Sequence, residues 1–285
     1  MNFNRLLRLI GLGLVAAAFP LAPARAETIN CTAITSLPYT ISAQGVYCLT
    51  GHLSTGITSG NAITINTNNV VLDLNGFKIG GQSAGLGTGA YGIYANQRQN
   101  ITIKNGTVRG FYEGIVLDDL SPYGASQGHV IEDIRADQNT YIGMNIAGNG
   151  NIIRNNQVVA TGGMTAPTFA VACGIEVQGP GAQVLNNMVT EVTAQGVGSA
   201  TGIYVYGSNN GIVAGNRIGN ITSPSGVTYG IHSAVGTNLI ISDNRLSGMQ
   251  EGISFSSSTG KYFSNVTQGV GTPYTGGTAA GATNY

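Results

Sequence analysis

The sequence predicts an all-β solenoid, a fold in which short strands stack coil upon coil. The main observation is a recurring phrase: a glycine, an apolar residue, then alternating side chains. It returns in steps of 22, 29, 31, 28, 28 and 22 residues, which is typical of one structural unit per step with turns of variable length. The phrase begins at Gly92, Gly114, Gly143, Gly174, Gly202, Gly230 and Gly252.

Composition agrees with a patterned, weakly charged fold. Glycine accounts for 44 of 285 residues, 42% of residues are hydrophobic and only 8% are charged. An average globular protein has about a quarter of its residues charged. Because the apolar residues alternate regularly, the chain can bury enough surface to offset the entropy of ordering. We therefore expect one elongated domain.

Residues 1–26 are predicted to be a secretory signal peptide. Arg5 and Arg8 precede an apolar run over 9–21, and Ala-Arg-Ala at 24–26 offers a cleavage site between small residues. The run is shorter than the roughly 20 apolar residues that a membrane anchor needs, so no membrane insertion is expected after cleavage. The predicted localisation is secreted or periplasmic.

The mature chain carries 9 basic and 12 acidic residues, a net charge of −3. No basic patch or stripe is present in the sequence, so nucleic acid is not a predicted partner. Cys31 and Cys48 lie together before the first repeat, where a disulfide would secure a weak terminus in an oxidising compartment. Cys173 is expected to be a buried thiol rather than a nucleophile, because no histidine is near it in sequence.

The domain order follows from these patterns. Residues 27–60 are predicted to be an N-terminal cap, 61–268 the coiled strands and 269–285 a Gly/Thr-rich C-terminal tail or cap. Alternating residues at 62–65 and 70–76 are typical of the first strands. In later units a second strand ends at an asparagine corner, and stacking places four of these asparagines in a structural ladder. They are Asn156, Asn187, Asn216 and Asn244.

These motifs resemble the right-handed parallel β-helix repeat proteins of the pectate-lyase-like superfamily. The resemblance rests on the Gly-Ile strands, the asparagine corners and Val-Val-Leu-Asp-Leu-Asn-Gly at 70–76, and it covers residues 60 to 270. It implies a single right-handed parallel β-helix of about eight coils, similar to uncharacterised secreted bacterial members. The resemblance is specific for the fold and says less about function, since the superfamily includes polysaccharide lyases, hydrolases, epimerases, phage tailspikes, copper-delivery proteins and adhesins.

Candidate chemistry lies in the outward column two residues after each repeat glycine. Adjacent coils are about 4.8 Å apart, so residues in one column become neighbours. Three successive coils place a carboxylate, a phenol and an imidazole there: Glu176, Tyr204 and His232 are the candidate catalytic residues. Such a set suits acid–base chemistry on a sugar, with aromatic faces for stacking. The candidate substrate-binding residues beside them are Asn145, Gln178 and Tyr206.

The predicted function is a carbohydrate-interacting protein, with a polysaccharide lyase or C5-epimerase acting on a uronate polymer as the enzymatic candidate. Tyr204 or His232 would serve as base or acid, and Asn145 or Gln178 would pair with the uronate carboxylate. Arg217 and Arg245, in neighbouring coils, are further candidates for binding an anionic sugar, with a solvated surface as the alternative.

Other functions fit less well. A hydrolase of the polygalacturonase type needs clustered aspartates, whereas Asp118 and Asp119 should point to opposite faces. A calcium site needs more acids than Asp118 and Glu176, the two acids in the outward columns considered. Copper delivery needs clustered ligands, and the histidines are scattered, so neither a metal nor a cofactor is predicted. A non-catalytic scaffold or adhesin is the main alternative; a groove walled by insertions near 119–129 and 161–171 would favour the enzyme.

Overall fold

A computed structural model of the chain describes residues 30–165 and 171–281. The predicted signal peptide, residues 1–26, lies outside the described residues. Within the described part, all strand pairings are parallel and the helical content is one 3₁₀ turn, Gln82–Ala84. No helix in this part of the chain is long and apolar enough to cross a membrane.

The strands form three parallel sheets that run along the solenoid, and some long strands turn a corner from one sheet to the next. Sheet 1 contains Tyr39–Ile41, Asn61–Ile65, Tyr91–Asn96, Glu113–Asp118, Ile142–Ala147, Ala172–Gln178, Ala200–Tyr206, Thr228–Ala234 and the C-terminal parts of Arg245–Ser256 and Val266–Thr275. Sheet 2 contains Thr32–Ile34, Gly45–Leu49, Val70–Asp73, the N-terminal parts of Ile101–Arg109 and Val130–Asp137, then Ile152–Arg154, Gln183–Leu185, Ile212–Ala214, Leu239–Ser242, Gly260–Phe263 and Thr278–Ala279. Sheet 3 contains Leu53–Ser54, Lys78–Gly80, the C-terminal parts of Ile101–Arg109 and Val130–Asp137, then Gln157–Gly162, Met188–Thr193, Arg217–Thr222 and the N-terminal parts of Arg245–Ser256 and Val266–Thr275.

The recurring phrase builds sheet 1. Its apolar residue points inward and is almost fully buried in each coil: Ile93, Ile115, Met144, Ile175, Ile203, Ile231 and Ile253. The glycine before it is required by close approach of the next coil. A Cβ atom on Gly143 would lie 2.6 Å from the carbonyl oxygen of Gly174, closer than real Cβ contacts allow. Gly202 meets the carbonyl of Gly230 in the same way, at 2.7 Å.

An internal asparagine ladder follows the corner between sheets 2 and 3. The four predicted members are completely or almost completely buried, and Asn265 extends the ladder by one coil. Asn187 shows the pattern: its backbone N–H and its Nδ2 both donate to Oδ1 of Asn216, at 2.9 and 3.0 Å, and Nδ2 also donates to the carbonyl of Ile153. The ladder thus satisfies polar groups that the corner would otherwise bury without partners.

The predicted disulfide between Cys31 and Cys48 is confirmed. It joins the residue before the strand Thr32–Ile34 to the strand Gly45–Leu49, which pairs in register with Thr32–Ile34 and Val70–Asp73. Regular pairing also reaches Val266–Thr275 at the other end. Sheet 1 has ten strands among the described residues, so its ladder extends to both sides of 61–268. The cap and tail boundaries and the coil count stay predictions.

Candidate functional site

Sheet 1 brings six of the predicted site residues together. Asn145 pairs with Glu176, Glu176 with Tyr204, and Tyr204 with His232, so all four occupy one outward column on successive strands. Gln178 and Tyr206 are partners in the next outward column. The predicted register is therefore correct for this face, and the catalytic and binding roles of these residues stay predictions.

A pocket of about 380 Å³ opens on this face. Glu176, Tyr204 and His232 all line it, together with Tyr141, Ile142, Val171, Ala172, Cys173, Ser199, Thr201 and Tyr229. Cys173 is buried in the floor, and burial raises the pKa of its thiol well above the ordinary value, so it is a neutral wall residue. The pocket thus combines a carboxyl group, a phenol and an imidazole with further tyrosine side chains in its walls.

A hydrogen-bonded chain of amides holds two glutamates in place. Gln178 Nε2 donates to Glu176 Oε1 at 2.8 Å, and Tyr123 donates its hydroxyl to Gln178 Oε1 at 3.2 Å. Asn145 Nδ2 donates to Glu113 Oε2 at 3.1 Å. The sequence predicted Asn145 and Gln178 as substrate-binding residues, whereas the structure directs their amide hydrogens to Glu113 and Glu176.

Burial sets the electrostatics of the site. It raises the pKa of Glu113 to about 7; the bond from Asn145 opposes this and the charge of Glu176 adds to it. Burial also raises the pKa of Glu176, against the Gln178 bond. Burial and then Glu176 raise the pKa of Tyr204 to about 12, and burial lowers the pKa of His232. Near neutral pH the phenol is therefore protonated and the imidazole uncharged.

Aromatic rings continue the face on both sides of the glutamates. Tyr229 stacks on His232 with ring centroids 4.4 Å apart, and Tyr204 lies 5.2 Å from the same imidazole. On the other side Tyr91 stacks on Tyr94 at 5.6 Å, and Tyr112 stacks on Tyr141 at 4.8 Å beside the two strands that begin at Glu113 and Ile142. Flat aromatic faces of this kind bind the apolar faces of ring-shaped ligands.

Three important residues were not found from the sequence. Glu113 and Tyr229 directly precede repeat glycines, and Tyr141 precedes one by two positions. The register shows that the position before the glycine forms a third outward column, in which Glu113 pairs with Tyr91 and Tyr229 with Glu251. This column could have been identified from the same spacing. It also corrects the expectation that Asp118 and Glu176 are the acids available on sheet 1.

The predicted arginines lie elsewhere. Arg217 and Arg245 pair with each other on sheet 3, where they line a different pocket, so they do not contribute to the site on sheet 1. The sequence predicted that these two arginines lie in neighbouring coils, which the register confirms, and their role in binding an anionic sugar stays a prediction.

The first predicted insertion does pack over the face, since Tyr123 from residues 119–129 contacts Gln178. The same loop contains a Ser126–His129 pair with Oγ and Nε2 2.7 Å apart, both residues buried. His129 Nδ1 accepts the backbone N–H of Ile101, so Nε2 carries the proton and donates it to Ser126. That tautomer anchors the loop and cannot activate the serine. Of the second insertion, residues 166–170 lie outside the described residues.

Three parallel sheets, an inward aliphatic column and an asparagine ladder define a right-handed parallel β-helix protein, as the sequence predicted. The model of the family described as periplasmic copper-binding protein (NosD) matches residues 30–277, and the chain belongs to that family. The family is periplasmic, in agreement with the predicted localisation.

Solved structures support the fold. The Dettilon tailspike protein shares 14% identity over 87% of this chain and 60% of its own, with a TM-score of 0.58. Tailspike protein 2 of bacteriophage CBA120 shares 16% identity over 84% of this chain and 38% of its own, with a TM-score of 0.59. The Agl-KA catalytic domain shares 13% identity over 83% of this chain and 47% of its own, with a TM-score of 0.50. The chain thus spans 38–60% of the length of these structures. No curated protein shows significant sequence similarity to the chain.

The family description raises copper as a ligand, and the residues present do not fit it. Residues 30–165 and 171–281 contain no group of three or more His, Cys, Asp or Glu side chains able to hold a metal ion. Both ring nitrogens of His129 are engaged, and His52 Nδ1 accepts the backbone N–H of Lys78. No step is therefore assigned to copper.

Proposed function

We propose that the protein binds a polysaccharide along sheet 1 and acts on it by acid–base chemistry in the tyrosine-walled pocket. The observation that carries the proposal is that Glu176, Tyr204 and His232 line one pocket between stacked aromatic pairs. The tailspikes and the Agl-KA catalytic domain share the fold, but their sequence identity to this chain is too low to carry their functions over. The proposal therefore rests on the pocket.

The pKa shifts suggest which group would do what. His232 is uncharged near neutral pH and can take a proton, whereas Tyr204 holds one that it can give. In a uronate lyase, His232 would remove the C5 proton, electrons would form the C4–C5 double bond, the C4–O bond would break, and Tyr204 would protonate the leaving oxygen. In a C5-epimerase the same base would act and Tyr204 would return a proton to the opposite face.

The uronate carboxylate would meet acids rather than cations in this pocket, because Lys and Arg are absent from its described lining. The repulsion falls when Glu113 and Glu176 are protonated, and burial favours this protonated form. Activity would therefore lie on the acid side of neutrality. Its alkaline limb would be near the Glu113 pKa of about 7, and its acid limb below the ordinary histidine value of about 6.5.

A non-catalytic glycan-binding scaffold is the second candidate. Its support is that the stacked pairs Tyr91–Tyr94 and Tyr112–Tyr141 continue the aromatic face beyond the three titratable groups. A chain bound on this face would need no proton transfer. The two candidates differ in whether binding is followed by chemistry.

The test is a screen of the purified mature protein at pH 5 to 8 against alginate, pectate, glucuronan and hyaluronan. Ultraviolet absorbance reports an elimination product, and deuterium exchange at C5 by proton NMR reports epimerisation. Tyr204→Phe and His232→Ala should abolish either signal, while Tyr262→Phe, on sheet 2, should leave it unchanged. Glycan binding without chemistry would establish the scaffold, and neither binding nor chemistry on any polymer would refute the proposal.

A further inference from the structure

Sheet 3 has two outward columns of side chains, and the charge of the residues beside its arginines changes along the solenoid. The first runs Arg135, Gln157, Met188, Arg217, Arg245 and Val266. The second, two residues further along each strand, runs Asp137, Val159, Thr190, Gly219, Ser247 and Gln268. Each arginine of the first column therefore has a fixed neighbour in the second.

Early in the solenoid that neighbour is an acid. Asp137 Oδ1 lies 3.5 Å from Arg135 Nη2, and its Oδ2 lies 3.3 Å from Arg109 Nε. Two guanidinium groups thus share one carboxylate. The chain itself thus supplies one negative charge that partly offsets the two positive charges.

Later in the solenoid the same position holds no acid. Two residues after Arg135 the strand has Asp137, whereas two residues after Arg217 it has Gly219 and two residues after Arg245 it has Ser247. Neither Arg217 nor Arg245 makes an ion pair within the described residues. The two arginines are exposed and sit on adjacent strands about 4.8 Å apart, where their charges repel. Gly219 lines the notch beside them and has no side chain that could supply a carboxylate there.

We propose that this notch is an anion-binding site in which an external oxyanion takes the place of the Asp137 carboxylate. The pocket has a volume of about 380 Å³, and its lining includes Arg217, Arg245, Thr190 and Ser247. Two guanidinium forks match the oxygens of a carboxylate or sulfate, and the hydroxyls supply further donors.

The rim indicates what carries the anion. Met188 and Val266 bracket the arginines in the first column and expose 38% and 41% of their surface. The apolar side chains at the two ends of the pocket fit the ring faces of a sugar. The polar side chains of Thr190, Ser247 and Gln268 beside them fit its hydroxyl groups. The ligand class is therefore an acidic saccharide, bound on a different sheet from the polysaccharide site proposed above, and either site can fail without the other.

The experiment follows the arginine side-chain Nε–H signals of ¹⁵N-labelled protein at low salt. The probes are inorganic sulfate, a galacturonate trimer, a sulfated galactose and, as the uncharged control, galactose. The signals of Arg217 and Arg245 should shift with the acidic sugars and stay unmoved with galactose. A carboxylate supplied by Gly219→Asp should compete and weaken binding at least about tenfold, equivalent to roughly 1.4 kcal/mol.

Matched variants keep the outcome clear. In a Tyr141→Ala with Tyr229→Ala background, which weakens the proposed binding on sheet 1, calorimetry should show that Arg217→Gln with Arg245→Gln weakens binding of the acidic sugar at least about tenfold. Lys261→Gln, which removes an exposed charge from sheet 2, should change it less than about twofold. If no acidic probe moves the two signals, or if Gly219→Asp binds as the wild type does, the site does not exist. Preference for anionic vesicles over every sugar would overturn the saccharide assignment.

Discussion

Glu113 is a buried acid of the candidate site whose charged form is costly to accommodate. The residue is 6% exposed and its carboxyl group has one side-chain donor, Asn145, so charging it costs solvation that the protein does not fully replace. The folded pKa of about 7 lies above the ordinary value of 4.5. The residue therefore favours folding while protonated, and that contribution is lost as the pH rises through 7.

We expect Glu113→Gln to stabilise the protein at pH 8 and to leave stability nearly unchanged at pH 4.5. The amide mimics the protonated acid, so the gain appears only where wild type carries the charge. From the pKa difference it should be about 1 to 3 kcal/mol. Urea denaturation at both pH values measures it, and equal destabilisation at both would contradict the account.

His129 has the opposite dependence. Burial lowers its pKa to about 4 from the ordinary 6.5, so the unfolded chain binds a proton over that range and the folded chain does not. Its contribution to stability is present above pH 6.5 and declines by about 3 kcal/mol as the pH falls to 4.

The test is His129→Asn, which keeps an acceptor for the N–H of Ile101 and has no proton to gain. We expect lower stability than wild type at pH 7, because packing and the Ser126 bond are lost, and a flatter decline between pH 6.5 and 4. Thermal unfolding across that range provides the measurement. A variant with the wild-type slope would exclude His129 as the source.

At the residue scale the sequence predicted part of the site for a simple reason. Glu176, Tyr204 and His232 share a fixed offset from glycines whose spacing is visible, and the strand register preserves that offset. Glu113 lies just before its glycine, in a column that was not considered. Tyr123 reaches the site from a loop with its own geometry, so no repeat spacing places it there.

At the scale of elements, the asparagine ladder binds coil to coil. Asn216 is completely buried; its Oδ1 accepts from Asn187, and its Nδ2 donates to Asn244 and to the carbonyl of Val184. Removing this side chain leaves several buried groups without partners in two neighbouring coils.

Asn216→Ala should therefore lower the free energy of unfolding by about 3 to 5 kcal/mol. Thr190→Ala, on the surface of sheet 3, should change it by less than about 0.5 kcal/mol. Guanidinium denaturation compares the two. A loss below about 1 kcal/mol for Asn216→Ala would mean that the ladder is a consequence of the corner rather than a cause of it.

The strands of sheet 1 were predictable because glycine, an inward aliphatic residue and alternation recur together. The strands of sheets 2 and 3 were harder to predict. A strand such as Ile101–Arg109 passes through a corner without interruption, so residues of two sheets form one continuous stretch of sequence. For this reason the sequence placed Arg217 and Arg245 in neighbouring coils after the asparagine ladder without predicting how far they lie from the sheet 1 residues. The missing information was the angle of each corner, which depends on backbone geometry rather than on polarity.

At the scale of the whole molecule, the solenoid aligns the outward side chains of successive coils into one long face. Aromatic pairs from Tyr91 to His232 follow the axis across six strands of sheet 1, and the two glutamates lie between them. At about 4.8 Å per strand this face is roughly 24 Å long, which matches an extended oligosaccharide better than a compact ligand.

The most direct measurement is calorimetric binding of uronate oligosaccharides at pH 6 to wild type and to the double variant Tyr141→Ala with Tyr229→Ala, each carrying Arg217→Gln and Arg245→Gln so that the proposed sheet 3 site does not contribute. Both tyrosines line the pocket, and each aromatic contact is worth about 1 kcal/mol, so the double variant should bind about 10- to 30-fold more weakly. Tyr262→Phe should bind as wild type does. Binding that is absent from wild type, or unchanged in the double variant, would contradict a polysaccharide site on sheet 1.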